Sequence, residues 1–214
     1  VRYSASRITI RKALETLRHD GIVEPRQGLG WLVVRVPLTQ SLARLSTIEQ
    51  QLRELGKKPE RRILSSRTYP ATGRVEEVLG GGEVREVVRL NLADGEPFAK
   101  VTVWIPSHLG DRFTVADLER SSFYELLAAT DLLLRPLAWA HQTIQAIAID
   151  ERDAALLGVT AASVGLACER ITFDTADVPV LYSRFVFPAS RVVFEVDLMS
   201  EVTSIGPSGL RLVT

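Results

Sequence analysis

Arg7, Arg11, Lys12 and Arg18 fall on one side of a helical repeat. The other side carries Ile10, Ala13, Leu14 and Leu17 at the i, i+3, i+4, i+7 spacing of an apolar face. Clustered cations at such spacing suit the grip of a polyanion, because each neutralised phosphate releases condensed counterions. A solvated helix face is the alternative, and charge by itself does not separate the two. Residues 1–35 hold seven basic and three acidic side chains, hence +4, in a chain whose net charge is zero. A basic head on an acidic body reads as two modules.

Other chemistry is thinly represented. His19, His108 and His141 are scattered, without carboxylate neighbours at metal-ligand spacing. Gly80-Gly81-Gly82 lacks the Lys-Ser or Lys-Thr that a phosphate-binding loop requires, and no GxSxG, HExxH or CxxC pattern occurs. Cys168 is the single cysteine, which excludes an intrachain disulfide and a multi-cysteine zinc site and fits a reducing compartment. It reads as a small buried hydrophobe. No catalytic residue, metal or cofactor is expected. No apolar run approaches the ~18 residues of a membrane span, and no signal peptide opens the chain, so a cytoplasmic protein without a membrane partner is expected. With 214 residues, 46% hydrophobic and 24% charged, the composition is that of an ordinary globular protein of one domain or two small ones.

The elements that must position these residues follow from caps and periodicity. Ser6 is a good N-cap for the basic helix and Gly21 supplies its stop. Ile22 to Arg26 and Trp31 to Arg35 are β-like runs flanking Gln27-Gly28-Leu29-Gly30, a tight-turn composition. Pro37 to Ser41 reads as a linker, and Leu42, Leu45, Ile48, Leu52 and Leu55 mark a helix closed by Gly56. Strand-like segments follow at about residues 61–70, 84–92, 97–105, 136–149, 164–174 and 179–196, with turns at Asp94-Gly95-Glu96-Pro97 and Asp177-Val178-Pro179. Val115 to Thr130 and Asp150 to Leu157 have helical spacing. Strands joined by hairpins with segregated helices predict an antiparallel α+β body and disfavour a doubly wound sheet. The expected divisions are a head at 1–36, a linker at 37–44, a body at 45–198 and a tail at 199–214.

The head stretch SRITIRKALETLRHDGIVEPRQGLGWLV, Ser6 to Val33, resembles the recognition helix and wing of a winged helix-turn-helix of the GntR superfamily. The resemblance implies that Ser6, Arg7, Thr9 and Arg11 face DNA from the helix, while Gly28 and Gly30 let the wing approach the phosphate backbone. Helix N-termini and arginines favour phosphates and guanine edges, which agrees. Leu29 and Trp31 depart from the basic and small hydroxyl residues common in the family's wing. The chain starts at Val1 without an initiator methionine, and Val1 to Ala5 leave room for little of the two helices the family places earlier. A fragment or processed chain that binds DNA weakly is therefore expected.

The body is similar to the UTRA effector-binding domain of the HutC subfamily within that superfamily. VVRLNLADGEPFAKVTVWIP at Val87 to Pro106, DLERSSFYELL at Asp117 to Leu127 and DVPVLYSRFVF at Asp177 to Phe187 carry the likeness. It implies a chorismate-lyase-like fold around a small-molecule pocket, a homodimer, and a repressor whose operator affinity responds to an effector. Carried over position by position, the pocket comprises Arg89, Asn91, Val101, Ser122, Tyr124, Leu181, Tyr182 and Phe187. Arg89 and Asn91 share a strand face by period 2. Asn91 stands where a second arginine holds the anion in sugar-phosphate binders. Val101 and Leu181 stand where glutamates commonly ligate polar effectors, and Phe187 where an aromatic hydroxyl is usual. An effector with an apolar body and one acidic end, an organic acid anchored by Arg89 with Ser122 and Tyr124, is the expectation. A sheet-surface Arg89 beside a core Tyr124 is the plain alternative. A lyase-like enzyme on the same fold and a stand-alone binding module are the rival functions.

Overall fold

The computed structural model describes residues 6–19, 23–26, 30–33, 38–41, 52–53 and 56–195. In the head, helix α1 spans Arg7–His19 and is followed by strands β1 (Val23–Arg26) and β2 (Gly30–Val33). The two strands pair antiparallel, Val23 opposite Val33 and Arg26 opposite Gly30. Helix, then two-stranded wing, is the order that the caps and glycines predict. The apolar face of α1 differs from expectation: Ile10 is 46% exposed, Ala13 is exposed and Leu14 half-buried. Strand β1 lies against α1 and covers part of that face.

Strands β4 (Pro59–Pro70), β5 (Glu83–Ala93), β6 (Glu96–Pro106), β7 (Leu137–Ala148), β8 (Val164–Asp174) and β9 (Pro179–Pro188) build one sheet in the order β4-β5-β6-β9-β8-β7. All neighbours run antiparallel, as the hairpin pattern predicts. The β5–β6 hairpin closes on Asp94 at φ 53° and Gly95 at φ 81°. Two successive positive φ values are what an Asp-Gly two-residue turn supplies. Asp94 also secures the start of β4, where its Oδ1 accepts the Lys58 N–H at 2.9 Å.

Helices cover both faces. Toward one face lie α3 (Ser107–Gly110), α4 (Val115–Arg120) and α5 (Phe123–Ala128), which bury Leu109, Leu118, Phe123 and Leu127 with Val87, Val101, Val103, Phe185 and Phe187. Toward the other lies α6 (Glu151–Leu157), which joins Ala154 and Leu157 to Leu90, Leu92 and Val186. Helix α2 (Gly73–Leu79), which the periodicity did not mark, packs on the same side, with Arg74 near Tyr182. Burial on both faces explains why β5 reads as a nearly continuous buried run instead of an alternating one.

Three segments differ from the sequence reading. Val115 to Thr130 is two helices, because Thr114 and Asp117 form one capping box and Ser122 and Glu125 a second, so the chain stops and restarts at Ser121. The last predicted strand divides: β9 ends at Pro188, and β10 (Val192–Glu195) leaves the sheet. It pairs in parallel with β3 (Leu38–Ser41), a strand inside the segment read as linker. Most of the expected helix from Leu42 to Leu55 and the tail from Met199 lie outside the described residues. Leu52 is 2% exposed in the core, and Gly56 ends its turn at φ 70° as a helix stop should.

Removing the second cap by Ser122→Ala is expected to lower stability by about 1 kcal/mol in denaturant titration. Hydrogen bonds from the Thr114 hydroxyl and N–H, with Arg120, hold the Asp117 carboxyl down at about 2, from an ordinary 3.8. A depressed folded pKa contributes stability that is present above the ordinary value and lost as pH falls through the folded one. Thermal midpoints of the wild type should therefore decline from about pH 4 to pH 2 more steeply than those of Thr114→Ala.

Candidate functional site

In the head, Ser6 caps α1: its Oγ accepts the Thr9 N–H at 3.1 Å and lies 2.8 Å from Thr9 Oγ1. Ser6, Arg7, Thr9 and Arg11 are all exposed, and the first turn holds no acidic residue to oppose an approaching anion. Arg18 and Arg26 are engaged by Glu15 at 3.2 Å and Glu24 at 3.1 Å. Gly30 takes φ 85° with open space where a Cβ would stand, so conformation and not bulk calls for glycine there. Gly28 lies outside the described residues.

In the body, period 2 places Arg89 and Asn91 on the face of β5 turned toward α5, and burial is deep: 6% and 2% exposed. Arg89 stands opposite Val101 on β6 and opposite Ile63 on β4, and Asn91 stands opposite Arg61. Val101, Leu181 and Phe187 share this face and are at most 1% exposed. Tyr124 reaches it from α5, its Oη 2.6 Å from the Oγ1 of Thr172, which is fully buried beside Leu181. Ser122 sits at the same helix end with its hydroxyl occupied, accepting the Glu125 N–H at 3.2 Å and donating to Glu125 Oε2 at 3.0 Å. Its role is to start α5 beside the cluster.

Tyr182 does not join this group. One residue beyond Leu181, it points to the opposite face, where it stacks on Trp104 with centroids 5.0 Å apart. Burial and the nearby Glu169 carboxylate raise its phenol. Trp104 Nε1 and Tyr69 Oη donate to Glu86 Oε2 at 3.0 and 2.9 Å, and Arg67 Nε donates to Glu86 Oε1 at 2.8 Å. Strand parity alone separates Tyr182 from Arg89.

Residues that sequence reasoning passed over complete the cluster. The Arg61 side chain is 3% exposed, with Nη2 3.7 Å from Glu125 Oε2. Arg170 donates through Nε to Gln142 Oε1 at 2.7 Å, and its guanidinium lies 5.3 Å from the Phe185 ring centroid. Nothing in the sequence pairs Arg61 with Asn91, because the β4–β5 register is not a local property. Burial pushes the Cys168 thiol up to about 12, which keeps it protonated and unreactive. Among the described residues, no three His, Cys, Asp or Glu side chains could hold a metal ion, and no helix is long and apolar enough to cross a membrane.

Comparison with known proteins agrees with this geometry. Residues 54–193 match the UTRA domain family. The transcriptional repressor NagR of Bacillus subtilis (strain 168) is 23% identical over 195 residues, covering 90% of this chain and 79% of NagR. The crystal structure of PhnF from Mycobacterium smegmatis is similar with a TM-score of 0.74 at 26% identity, covering 92% of this chain and 87% of that one. The structure of the PhnF effector domain alone has a TM-score of 0.68 at 23% identity over 76% of this chain and 99% of its own. The fold is shared with PhnF over most of both chains, and the chain belongs to the UTRA domain family, among the transcription regulators.

Proposed function

We propose that the small molecule to which this transcription regulator responds is an acid with an apolar body, seated over Arg89 beneath α5. The observation that carries the reading is the burial of Arg89, Asn91 and the Arg61 side chain in a layer whose other walls are mostly apolar. A guanidinium grips a carboxylate bidentately and with fixed geometry. Val101, Leu181 and Phe187 form walls against which a hydroxyl-rich ligand would leave polar groups unpaired. Arg61 supplies a second guanidinium one strand away from the position where sequence reasoning found only Asn91. Glu125, 3.7 Å from Arg61, already answers that charge, so a single acidic group fits better than a dianion.

The head carries Ser6, Arg7, Thr9 and Arg11 on an exposed helix start suited to a DNA groove, with the β1–β2 wing beside it. A cytoplasmic homodimer would present two such heads to the half-sites of a pseudo-palindromic operator and repress from there. Ligand binding would then favour the arrangement of bodies that holds the ligand best, and operator affinity changes by that difference.

Calorimetric titration of the intact protein with aromatic and aliphatic carboxylates should find a ligand whose affinity falls tenfold or more in Arg89→Ala. Full affinity in that variant overturns the site. Fluorescence anisotropy on duplex DNA from upstream of the gene, against scrambled duplex over a salt series, should show preference and a steep salt slope. Arg7→Ala should weaken binding and reduce the slope by about 1 if Arg7 neutralises one phosphate. Equal weak binding across wider genomic DNA would count against a regulator.

A further inference from the structure

Two guanidiniums besides Arg61 belong with Arg89 to the same face of the sheet, and they are held differently. Arg85 is buried and taken up by the protein itself, its Nε donating to Ser66 Oγ at 2.9 Å and its Nη1 to the carbonyls of Gly110 and Phe113 at 2.7 and 2.5 Å. It fastens the turn between α3 and α4 to β5. Arg170 on β8 is half-buried and meets neutral partners: Nε donates to Gln142 Oε1 at 2.7 Å, and the Phe185 ring centroid lies 5.3 Å from the guanidinium. Among the described residues its two Nη groups make no hydrogen bond, and no carboxylate lies within ion-pair distance of it. Gln142 and the ring fix the plane of the guanidinium. What remains is the pair of N–H donors with which an arginine grips a carboxylate.

Register sets Arg170 across an apolar floor from Arg89. Arg89, Val101, Phe185 and Cys168 stand opposite one another on β5, β6, β9 and β8, and Arg170 follows Cys168 on the same face by period 2. Val101, Phe185 and Cys168 are all buried. Two strand spacings, about 10 Å, separate Arg89 from Phe185, the ring beside the Arg170 guanidinium. Thr172 is the next residue along that face of β8, its Oγ1 2.6 Å from Tyr124 Oη. That bond uses one of the two hydroxyl protons, and among the described residues the other meets no acceptor, so a spare donor stands next along the strand from Arg170.

We propose that Arg170 is a second anion-binding end of the same site, and that the effector is a diacid: two single carboxylates on an apolar body, one at Arg89 and the other at Arg170. The inference rests on the reading of Arg89 above and adds the far end of the ligand. An acid with one head, lying over Val101 and Phe185, would end in an apolar tail against a guanidinium and strip water from it without replacement. A second carboxylate replaces that water with charge-assisted hydrogen bonds. Each end carries one charge, which keeps the preference for a single acidic group over a dianion at Arg89.

Calorimetry on the whole chain tests both ends, with linear diacids from glutarate to sebacate and the benzene dicarboxylates as probes, each against the monoacid of equal length. One diacid should bind about tenfold more tightly than its monoacid partner, or better, with a maximum at one length because the cations stand at a fixed span. Arg170→Gln keeps a hydrogen-bonding side chain and removes the charge. It should abolish the diacid advantage and leave monoacid affinity within about twofold, at unchanged circular dichroism. Arg170→Lys should restore part of the advantage, since the charge returns without the fork. Arg89→Ala should weaken both classes. The comparison of lengths in the wild type needs no variant to fold. Monoacids that bind through Arg89 with diacids no tighter, or a diacid advantage that survives Arg170→Gln, overturn the second end and leave Arg89 standing. Binding of neither class overturns the reading of Arg89 and this inference with it.

Discussion

One carboxylate oxygen holds together the parts on which the rest of the body depends. Glu125 Oε2 accepts the Ser122 N–H at 2.7 Å and the Ser122 hydroxyl at 3.0 Å, and lies 3.7 Å from Arg61 Nη2. The first two contacts start α5 at Ser122, and the third answers a guanidinium whose side chain is 3% exposed. A cation at such depth costs several kcal/mol unless it is compensated, and removing its counter-charge is far more damaging than never having had the pair. Glu125 thus serves both the helix start and the buried charge. Tyr124 follows from it: a helix begun at Ser122 sets the next side chain but one over the sheet, within reach of Thr172.

Two polar groups of the sheet, around Glu86 and around Arg89, are sorted by parity and differ in kind. On the face away from Arg89, Glu86 is pushed up by burial, but hydrogen bonds from Arg67, Tyr69 and Trp104 outweigh that and leave its carboxyl below the ordinary value. Its donors come from β4 and β6, so this group stitches neighbouring strands and explains why Tyr182, stacked on Trp104, belongs to the framework. On the Arg89 face, cations sit between Val101, Ile63 and the aromatic row of Phe185 and Phe187. Apolar replacements of similar volume are often neutral or stabilising at such positions.

What could be read from the chain was local. Strand-like runs bounded by turns marked the six sheet strands, and Asp94-Gly95 marked a hairpin whose positive φ values few other pairs would supply. Ser6, Gly56 and the helix over Asp150 to Leu157 were visible as caps and stops. The break in α4–α5 was written as Thr114-x-x-Asp117 and Ser122-x-x-Glu125, but the apolar spacing running through both helices masked it. Arg61 was hidden because only the β4–β5 register brings it to Asn91, and Tyr182 was misplaced because resemblance by position ignores the parity that separates it from Leu181. The β3–β10 pair joins residues 38–41 to 192–195, a distance along the chain that no local pattern spans.

That pair sits at the end of a continuous route of contacts. Arg170 lies over Phe185, Phe185 stacks on Phe187 at 5.8 Å, and Phe187 meets Phe194 edge-on at 5.5 Å. Phe194 belongs to β10, and β10 pairs with β3, the strand that follows the wing in the chain. Arg191, in the turn before β10, donates to the carbonyls of Leu157 and Gly158 at 2.6 and 3.1 Å, which fixes the near end of β10 to α6. Rearrangement along this route is therefore unequal in cost. The aromatic row is embedded in the core and the turn is clamped, whereas the ladder between β3 and β10 is parallel and four residues long on each side. Parallel pairs are slightly less stable per residue than antiparallel ones, and a four-residue ladder has few bonds to lose. Along this route the short parallel ladder is the part that costs least to separate, while the six-stranded sheet holds its long antiparallel ladders.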